Sequence, residues 1–90
     1  MLMLYAVVDI ETTGGFASGN GITEISILVH DGREVVEAYE TLINPGQEIP
    51  AYIETLTGIS NEMVVTAPLF GGVAAEIYAM LHDKYLLHIM

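Results

Sequence analysis

Two carboxylates, Asp9 and Glu11, stand two residues apart at the end of the first apolar segment. That segment, residues 1–10, is short and rich in Leu, Val, Ile and Tyr, as is typical of a strand buried on both faces. Side chains two apart on a strand point to the same face, so the carboxylates would lie side by side. Burial and mutual repulsion disfavour two such charges, and a divalent cation with oxygen ligands relieves both effects. The spacing therefore predicts a metal site; the alternative is a solvated strand end.

A glycine-rich loop follows this pair. Residues 12–21 hold four of the nine glycines of the chain. Threonine hydroxyls and backbone N–H groups at a glycine-permitted turn can approach a nucleotide. The loop lacks the lysine of a phosphate-binding P-loop and the glycine spacing of a dinucleotide-binding fingerprint. Its residues alone therefore leave two interpretations open, a nucleotide contact and a plain connection.

Two further segments are expected to form the sheet that positions the pair. Residues 22–30 predict a second strand, and Asp31-Gly32 is a hairpin turn signal that predicts an antiparallel return over residues 34–43. The apolar residues of this third segment also fit a helical stripe. The turn and the β-branched residues favour a strand.

Helices are predicted in the second half of the chain. Residues 50–57 begin with Pro and are followed by Gly, as short helices often are, and their expected buried face is Ile49, Tyr52, Ile53 and Leu56. Residues 69–81 show apolar residues at helical spacing, with Thr66 as the expected cap. Residues 85–90 predict another strand. A crossover helix of this length lets that strand pair parallel to the first, which predicts an α/β fold with a mixed sheet.

Composition excludes several classes of protein. The net charge is -10, but 52% of the 90 residues are hydrophobic and only 16% are charged, unlike a disordered acidic tail. The absence of cysteine excludes a disulfide-stapled domain. A total of only two basic residues, Arg33 and Lys84, argues against a free-standing protein that binds nucleic acid through a basic surface. No apolar run reaches the ~20 residues of a membrane span. We expect one domain, no membrane partner and a cytoplasmic location.

Residues 7–14, Val-Val-Asp-Ile-Glu-Thr-Thr-Gly, resemble the first motif of the DnaQ-like, or DEDD, 3′–5′ exonucleases, which include the proofreading epsilon subunit of bacterial DNA polymerase III. Further landmarks follow in the family's order: Ile-Thr-Glu-Ile at 22–25, Leu-Ile-Asn-Pro at 42–45, Ile-Pro at 49–50, Leu-Thr-Gly-Ile at 56–59 and Ala-Pro at 67–68 with Phe70. The resemblance implies a ribonuclease H-like exonuclease fold. It also implies two metal ions, Mg²⁺ or Mn²⁺, that serve phosphodiester hydrolysis at the 3′ end of single-stranded DNA.

The same resemblance assigns roles to individual residues. Asp9 and Glu11 would be catalytic and metal-binding, with Asp9 touching both metal ions and Glu11 one of them. Thr12, Thr13 and Gly14 would lie against the terminal nucleotide. Glu24 would have a supporting role, and its alternative is a strand acid that faces solvent or the loop.

The end of the sequence departs from the family pattern. Residues 85–90 are similar to the strand that leads into the second motif, where His88 fits the usual His and Ile89 replaces the usual Asn. The sequence thus supplies two of the four family carboxylates and no general base. We expect residues 1–90 to be the N-terminal portion of an exonuclease domain. One alternative is a non-catalytic module that binds a metal or a partner. Another is an exoribonuclease, because contacts to the 2′-OH distinguish RNA from DNA and the sequence does not reveal them.

The expected partners follow from the same points. The resemblance implies a DNA polymerase or helicase, as a partner chain or a fused domain. Because the sequence offers one long helix to cover a sheet that needs cover on both faces, we also expect a homo-oligomer.

Overall fold

The computed structural model describes residues 3–14 and 21–89, which form one four-stranded sheet in the order β3-β2-β1-β4 with helices beside it. The elements in chain order are β1 (Tyr5–Thr12), β2 (Ile22–His30), β3 (Val35–Leu42), α1 (Ala51–Thr57), α2 (Asn61–Val64), α3 (Phe70–Leu81) and β4 (Tyr85–Ile89). In the described part of the chain, every helix is too short or too polar to cross a membrane.

The sheet is mixed, as the sequence predicts. β1 and β2 are antiparallel, as are β2 and β3, whereas β1 and β4 are parallel. β1 therefore lies between β2 and β4, and α3 is the crossover that a parallel pair requires. The acidic pair sits on an interior strand of this sheet.

The β2–β3 turn explains why residues 35–42 form a strand and not a helix. The Asp31 carboxylate accepts hydrogen bonds from the N–H groups of Arg33, at 2.8 Å, and Glu34, at 3.0 Å. Gly32 adopts a φ of 97°, which a residue with a side chain rarely does. This turn returns the chain antiparallel, so the predicted strand over residues 34–43 is confirmed.

One face of the sheet carries the main hydrophobic core. Val73, Ile77 and Met80 of α3 pack on this face, and the sheet contributes Ala6, Ile25, Ile27, Val29 and Ile43. A smaller cluster joins α1 and α2 through Ile49, Ile53, Ile59 and Val64. The expectation that the first strand is buried on both faces is wrong, because Asp9 on its other face is exposed.

Two details of the helices differ from the sequence-based expectation. α1 buries Ile53 but leaves Tyr52 and Leu56 57% and 77% exposed, because so short a helix meets the small cluster through a single turn. α2 is not predicted at all. Its four residues are too few to show periodicity, and its signal is the Ser60 hydroxyl, which accepts the Met63 N–H at 3.3 Å.

The start of α3 also differs from the prediction. The helix begins at Phe70, and Leu69 occupies the N-cap position in place of Thr66. Asn44 N–H donates to the Pro68 carbonyl at 2.8 Å, and Asn44 pairs with Leu69 as a short parallel bridge. These contacts hold residues 68–69 extended, so the helix cannot start earlier.

Candidate active site

Asp9 and Glu11 lie on the face of β1 that α3 does not cover. Ala6 and Val8 belong to the core under α3, and alternate residues of a strand point to opposite faces. The two carboxylates therefore share the uncovered face, as their spacing predicts. Asp9 is exposed and Glu11 is half-buried.

β2 adds a third acid to this face. Glu24 is the direct cross-strand partner of Glu11, and Ser26 is the partner of Asp9. Burial raises the pKa of the Glu24 carboxyl above its ordinary value of 4.5. Three neighbouring carboxylates raise it further, with Glu40 first, Glu11 second and Asp9 third. The negative charges of both candidate ligands thus contribute to the raised pKa of Glu24, after its burial and the charge of Glu40.

No basic side chain neutralises these acids within the described residues. The one ion pair there joins His82 to Asp83 at 3.2 Å. The Lys84 ammonium donates to the carbonyls of Ala79 and His82, each at 3.4 Å, at the end of α3. The acidic face is therefore a region of negative potential that favours a cation.

The donor set fits a divalent cation in its chemistry but is incomplete. Carboxylate oxygens are the ligands that Mg²⁺ prefers, and Mg²⁺ is commonly held by one or two carboxylates plus waters. Asp9 and Glu11 supply such a pair. Among residues 3–14 and 21–89, however, no three His, Cys, Asp or Glu side chains are grouped closely enough to enclose an ion. Water or substrate would have to complete the coordination.

The segment after β1 is held by its own threonines. The Thr12 hydroxyl donates to the Gly14 carbonyl at 2.8 Å. Thr13 is 4% exposed, and its hydroxyl accepts the Gly21 N–H at 3.0 Å. Both hydroxyls are thus engaged in local hydrogen bonds. The rest of the predicted loop, residues 15–20, lies outside the described residues.

A β-bulge interrupts β2 beside the acids, a feature that sequence reasoning missed. Glu11 pairs with Glu24 and Thr12 with Ile22, so Thr23 is the extra residue. Its hydroxyl is buried and has no hydrogen-bond partner in the part of the chain that the structure describes, and the residue is 1% exposed. A polar residue at a position that alternates with Ile25 and Ile27 was the available signal. Bulges are common next to active sites, where they re-aim side chains.

β4 reaches the acidic pair at its C-terminal end. The backbone of Ile89 is the parallel partner of Asp9. His88 pairs with Val8, and partners in a parallel register share a face, so His88 lies on the opposite face from Asp9. The structure therefore does not bring the His88 side chain to the carboxylates.

The chain has clear relatives. Residues 6–88 match the family model RNase_T, described as Exonuclease. Several relatives carry the name 3′-5′ exonuclease DinG. Among them, the one from Bacillus subtilis (strain 168) is 39% identical over 84 residues, and the one from Staphylococcus epidermidis (strain RP62A) is 40% identical over 79 residues. These alignments cover 92% and 88% of the chain, and the chain spans 9% of the length of each relative.

Solved structures share the fold. Exonuclease I in complex with the inhibitor BCBP superposes with a TM-score of 0.84 at 16% identity, covering 98% of this chain and 21% of that one. The nuclease domain of 3′hExo, a DEDDh family member bound to rAMP, gives a TM-score of 0.76 at 19% identity, covering 97% of this chain and 52% of that domain. The fold is therefore that of the ribonuclease H-like DEDD exonucleases.

Proposed function

Because the chain belongs to the RNase_T exonuclease family, we propose that it serves as the N-terminal part of a metal-dependent exonuclease domain that hydrolyses DNA from its 3′ end. The observation that carries this proposal is the pair Asp9 and Glu11, unneutralised on the uncovered face of an interior strand. The chain also corresponds to about half of a solved nuclease domain, at 52% coverage, which supports its assignment as one portion of such a domain.

Asp9 and Glu11 would hold the divalent ion, Mg²⁺ or Mn²⁺, through their carboxylate oxygens. When bound, such ions activate a water and stabilise the leaving oxygen of a phosphodiester. The role of the protein is to hold both carboxylates on one face of the sheet. Glu24 would support the site electrostatically. Burial raises its pKa most, and the charges of Glu40, Glu11 and Asp9 raise it further, a repulsion that a cation would relieve.

The segment Thr12, Thr13 and Gly14 would lie against the terminal nucleotide. It leaves β1 directly after Glu11, so a nucleotide whose phosphate meets the ion would reach it. The hydrogen bond from the Thr12 hydroxyl to Gly14 holds the segment in one conformation before substrate arrives. Preorganisation of this kind lowers the entropic cost of binding.

Most of the affinity for nucleic acid would come from a surface outside this chain. Its two basic residues, Arg33 and Lys84, cannot neutralise a run of phosphates at a net charge of -10. We infer that a polymerase or helicase, as a partner or a fused domain, contributes the basic surface. The length of the relatives, of which this chain spans 9%, supports a fused arrangement. The cytoplasmic location stays a prediction.

Self-association of the ninety-residue chain is part of the same proposal. Leu28 and Leu87 are 39% and 51% exposed, and both flank Val7 on the uncovered face. Exposed apolar side chains that are contiguous favour an interface. We expect light scattering after gel filtration to give a mass above 9.7 kDa and Leu87→Gln to lower it. A monodisperse 9.7 kDa species would contradict self-association.

Calorimetric titration with Mn²⁺ tests the metal site. We expect the wild-type chain to bind the ion and Asp9→Asn to abolish binding. Glu37→Gln is the matched control, since it removes one carboxylate charge from β3 at the partner position of the core residue Val29, on the other face. Equal affinity in wild type and Asp9→Asn would contradict the site.

The substrate alternatives are separable with the same preparation. In the presence of Mn²⁺, we expect a deoxyribonucleoside 5′-monophosphate to bind. Preferential binding of the ribonucleotide would favour the exoribonuclease alternative, because only the 2′-OH differs. Metal binding without either nucleotide would favour a non-catalytic module.

A further inference from the structure

Thr13 and Gly21 form a closed pair of hydrogen bonds across the neck of the β1–β2 loop. The Thr13 N–H donates to the Gly21 carbonyl at 2.9 Å, and the Gly21 N–H donates to the Thr13 hydroxyl at 3.0 Å. Thr13 is only 4% exposed, so water competes little for either bond. The Thr13 side chain is therefore directed at the protein and is already engaged.

Gly21 is itself fixed against a rigid turn. A Cβ at position 21 would lie 2.7 Å from Pro45 Cβ and 2.8 Å from the Pro45 carbonyl oxygen, so the backbones are in close approach. That turn is anchored on both sides. The Asn44 N–H donates to Pro68 at 2.8 Å, and the Asn44 side-chain oxygen accepts the Gly46 N–H at 2.8 Å. The position of the Gly21 backbone, to which Thr13 bonds, is therefore restricted by its close contact with the Pro45 turn.

The location of this pair connects it to the carboxylates. Regular pairing of β1 with β2 shifts between Glu11 and Thr12, where Thr23 bulges out. The β1–β2 pairing ends just after the bulge, at Thr12 and Ile22, and the next hydrogen bonds between the two chain segments are those of Thr13. Glu11 lies two residues before Thr13, so movement of Thr13 would tilt the end of β1 that carries the Glu11 carboxylate.

We propose that Thr13 is a positioning residue: its hydroxyl clamps Gly21 and thereby holds Glu11 and the Thr12–Gly14 segment in the orientation that the metal ion and nucleotide require. This inference rests on the proposed function. It gives the Thr13 side chain a role within the protein and leaves contact with the nucleotide to the rest of the segment.

Substitutions at Thr13, with one control elsewhere, isolate the contribution of its hydroxyl. Thr13→Val removes it with little change in shape, whereas Thr13→Ser retains it. Thr57→Val is the matched control, because the Thr57 hydroxyl also accepts a backbone N–H, from Ile59 at 3.2 Å, but in the α1 region. Should Thr13→Val not fold, Thr13→Cys is the second variant, since a thiol is a weak acceptor.

Two readouts decide the proposal. We expect Thr13→Val to weaken Mn²⁺ affinity about 10-fold, as loss of an outer-shell partner does, while Thr13→Ser and Thr57→Val bind as wild type. In the metal-free chain, we expect the Gly21 amide to exchange faster in Thr13→Val only, with shifted amide resonances at Glu11 and Thr12.

Each contrary outcome has a definite meaning. Unchanged amide resonances of Glu11 and Thr12 in Thr13→Val would overturn the clamp. Unchanged Mn²⁺ affinity with weakened nucleotide binding would also overturn it, in favour of a direct nucleotide contact. If the wild-type chain binds no Mn²⁺, the proposed function fails, and the amide measurements still decide the clamp independently.

Discussion

Glu11 and Glu24 lie directly opposite each other on β1 and β2, on the sheet face that α3 leaves uncovered. Like charges at directly opposed positions destabilise an antiparallel pair. Burial raises the pKa of Glu24 most, and the charge of Glu40, followed by those of Glu11 and Asp9, raises it further. Among residues 3–14 and 21–89 no basic side chain neutralises the pair, so a bound cation would relieve this repulsion.

The Glu24 pKa predicts a pH-dependent stability. Unfolded Glu24 titrates near its ordinary value of 4.5, and the folded pKa is higher. The folded chain therefore binds more protons than the unfolded chain in the window between them, and stability falls as pH rises through it. We expect Glu24→Gln to raise the free energy of unfolding at pH 7 and to have little effect below pH 4.5. Urea denaturation at several pH values measures this.

Two variants make this measurement specific. Glu40→Gln should also stabilise the chain at pH 7, because Glu40 is the largest charged contributor to the Glu24 shift. Its effect should shrink in a Glu24→Gln background. Equal stability of wild type and Glu24→Gln across the pH range would show that the acids do not interact.

The Thr23 hydroxyl predicts a stabilising substitution. It is buried and has no hydrogen-bond partner among residues 3–14 and 21–89, and a buried unsatisfied polar group costs about 1–3 kcal/mol. Thr23→Val keeps the β-branched shape and removes the hydroxyl, so we expect stability to rise by roughly 1 kcal/mol. Thr41→Val is the control, since the Thr41 hydroxyl donates to the Leu42 carbonyl at 2.9 Å. Loss of stability in Thr23→Val would mean that an ordered water satisfies the group.

The sequence predicted the parts of this molecule that depend on local chemistry. The Asp31 turn predicted the antiparallel return, and the period of two predicted a shared face for Asp9 and Glu11. The length of α3 predicted the parallel pairing of β4. Each of these follows from residues close together in the chain.

The parts that sequence reasoning missed depend on distant contacts. α3 begins at Phe70 because Asn44, far earlier in the chain, holds Pro68. The Thr13–Gly21 pair joins residues across a loop, and the bulge at Thr23 depends on the β1–β2 register. A two-residue change of register would separate Glu11 from Glu24 and still leave the apolar side chains on the core face, so periodicity alone does not specify the register.

Two glycines are expected to respond oppositely to alanine. At Gly21 an added Cβ would lie within 2.8 Å of Pro45 backbone, and overpacking of this kind costs about 1–3 kcal/mol. At Gly71, in α3, a Cβ meets nothing within 4 Å, and alanine is favoured in a helix by about 1 kcal/mol. Thermal unfolding should therefore show a lower Tm for Gly21→Ala and a higher Tm for Gly71→Ala. Similar shifts in both would show that the Pro45 turn yields easily.

The ninety-residue chain is expected to bind metal without rapid hydrolysis of DNA. Asp9 and Glu11 would supply two ligands, and no group of three His, Cys, Asp or Glu side chains that could hold an ion occurs among residues 3–14 and 21–89. Two carboxylates cannot fix two ions, and loss of catalytic groups that act as a unit removes most of the rate. We expect no EDTA-sensitive shortening of a 5′-labelled single strand above that seen with Asp9→Ala. Robust 3′–5′ digestion that Asp9→Ala abolishes would contradict this and would show that associated copies share ligands to complete the site.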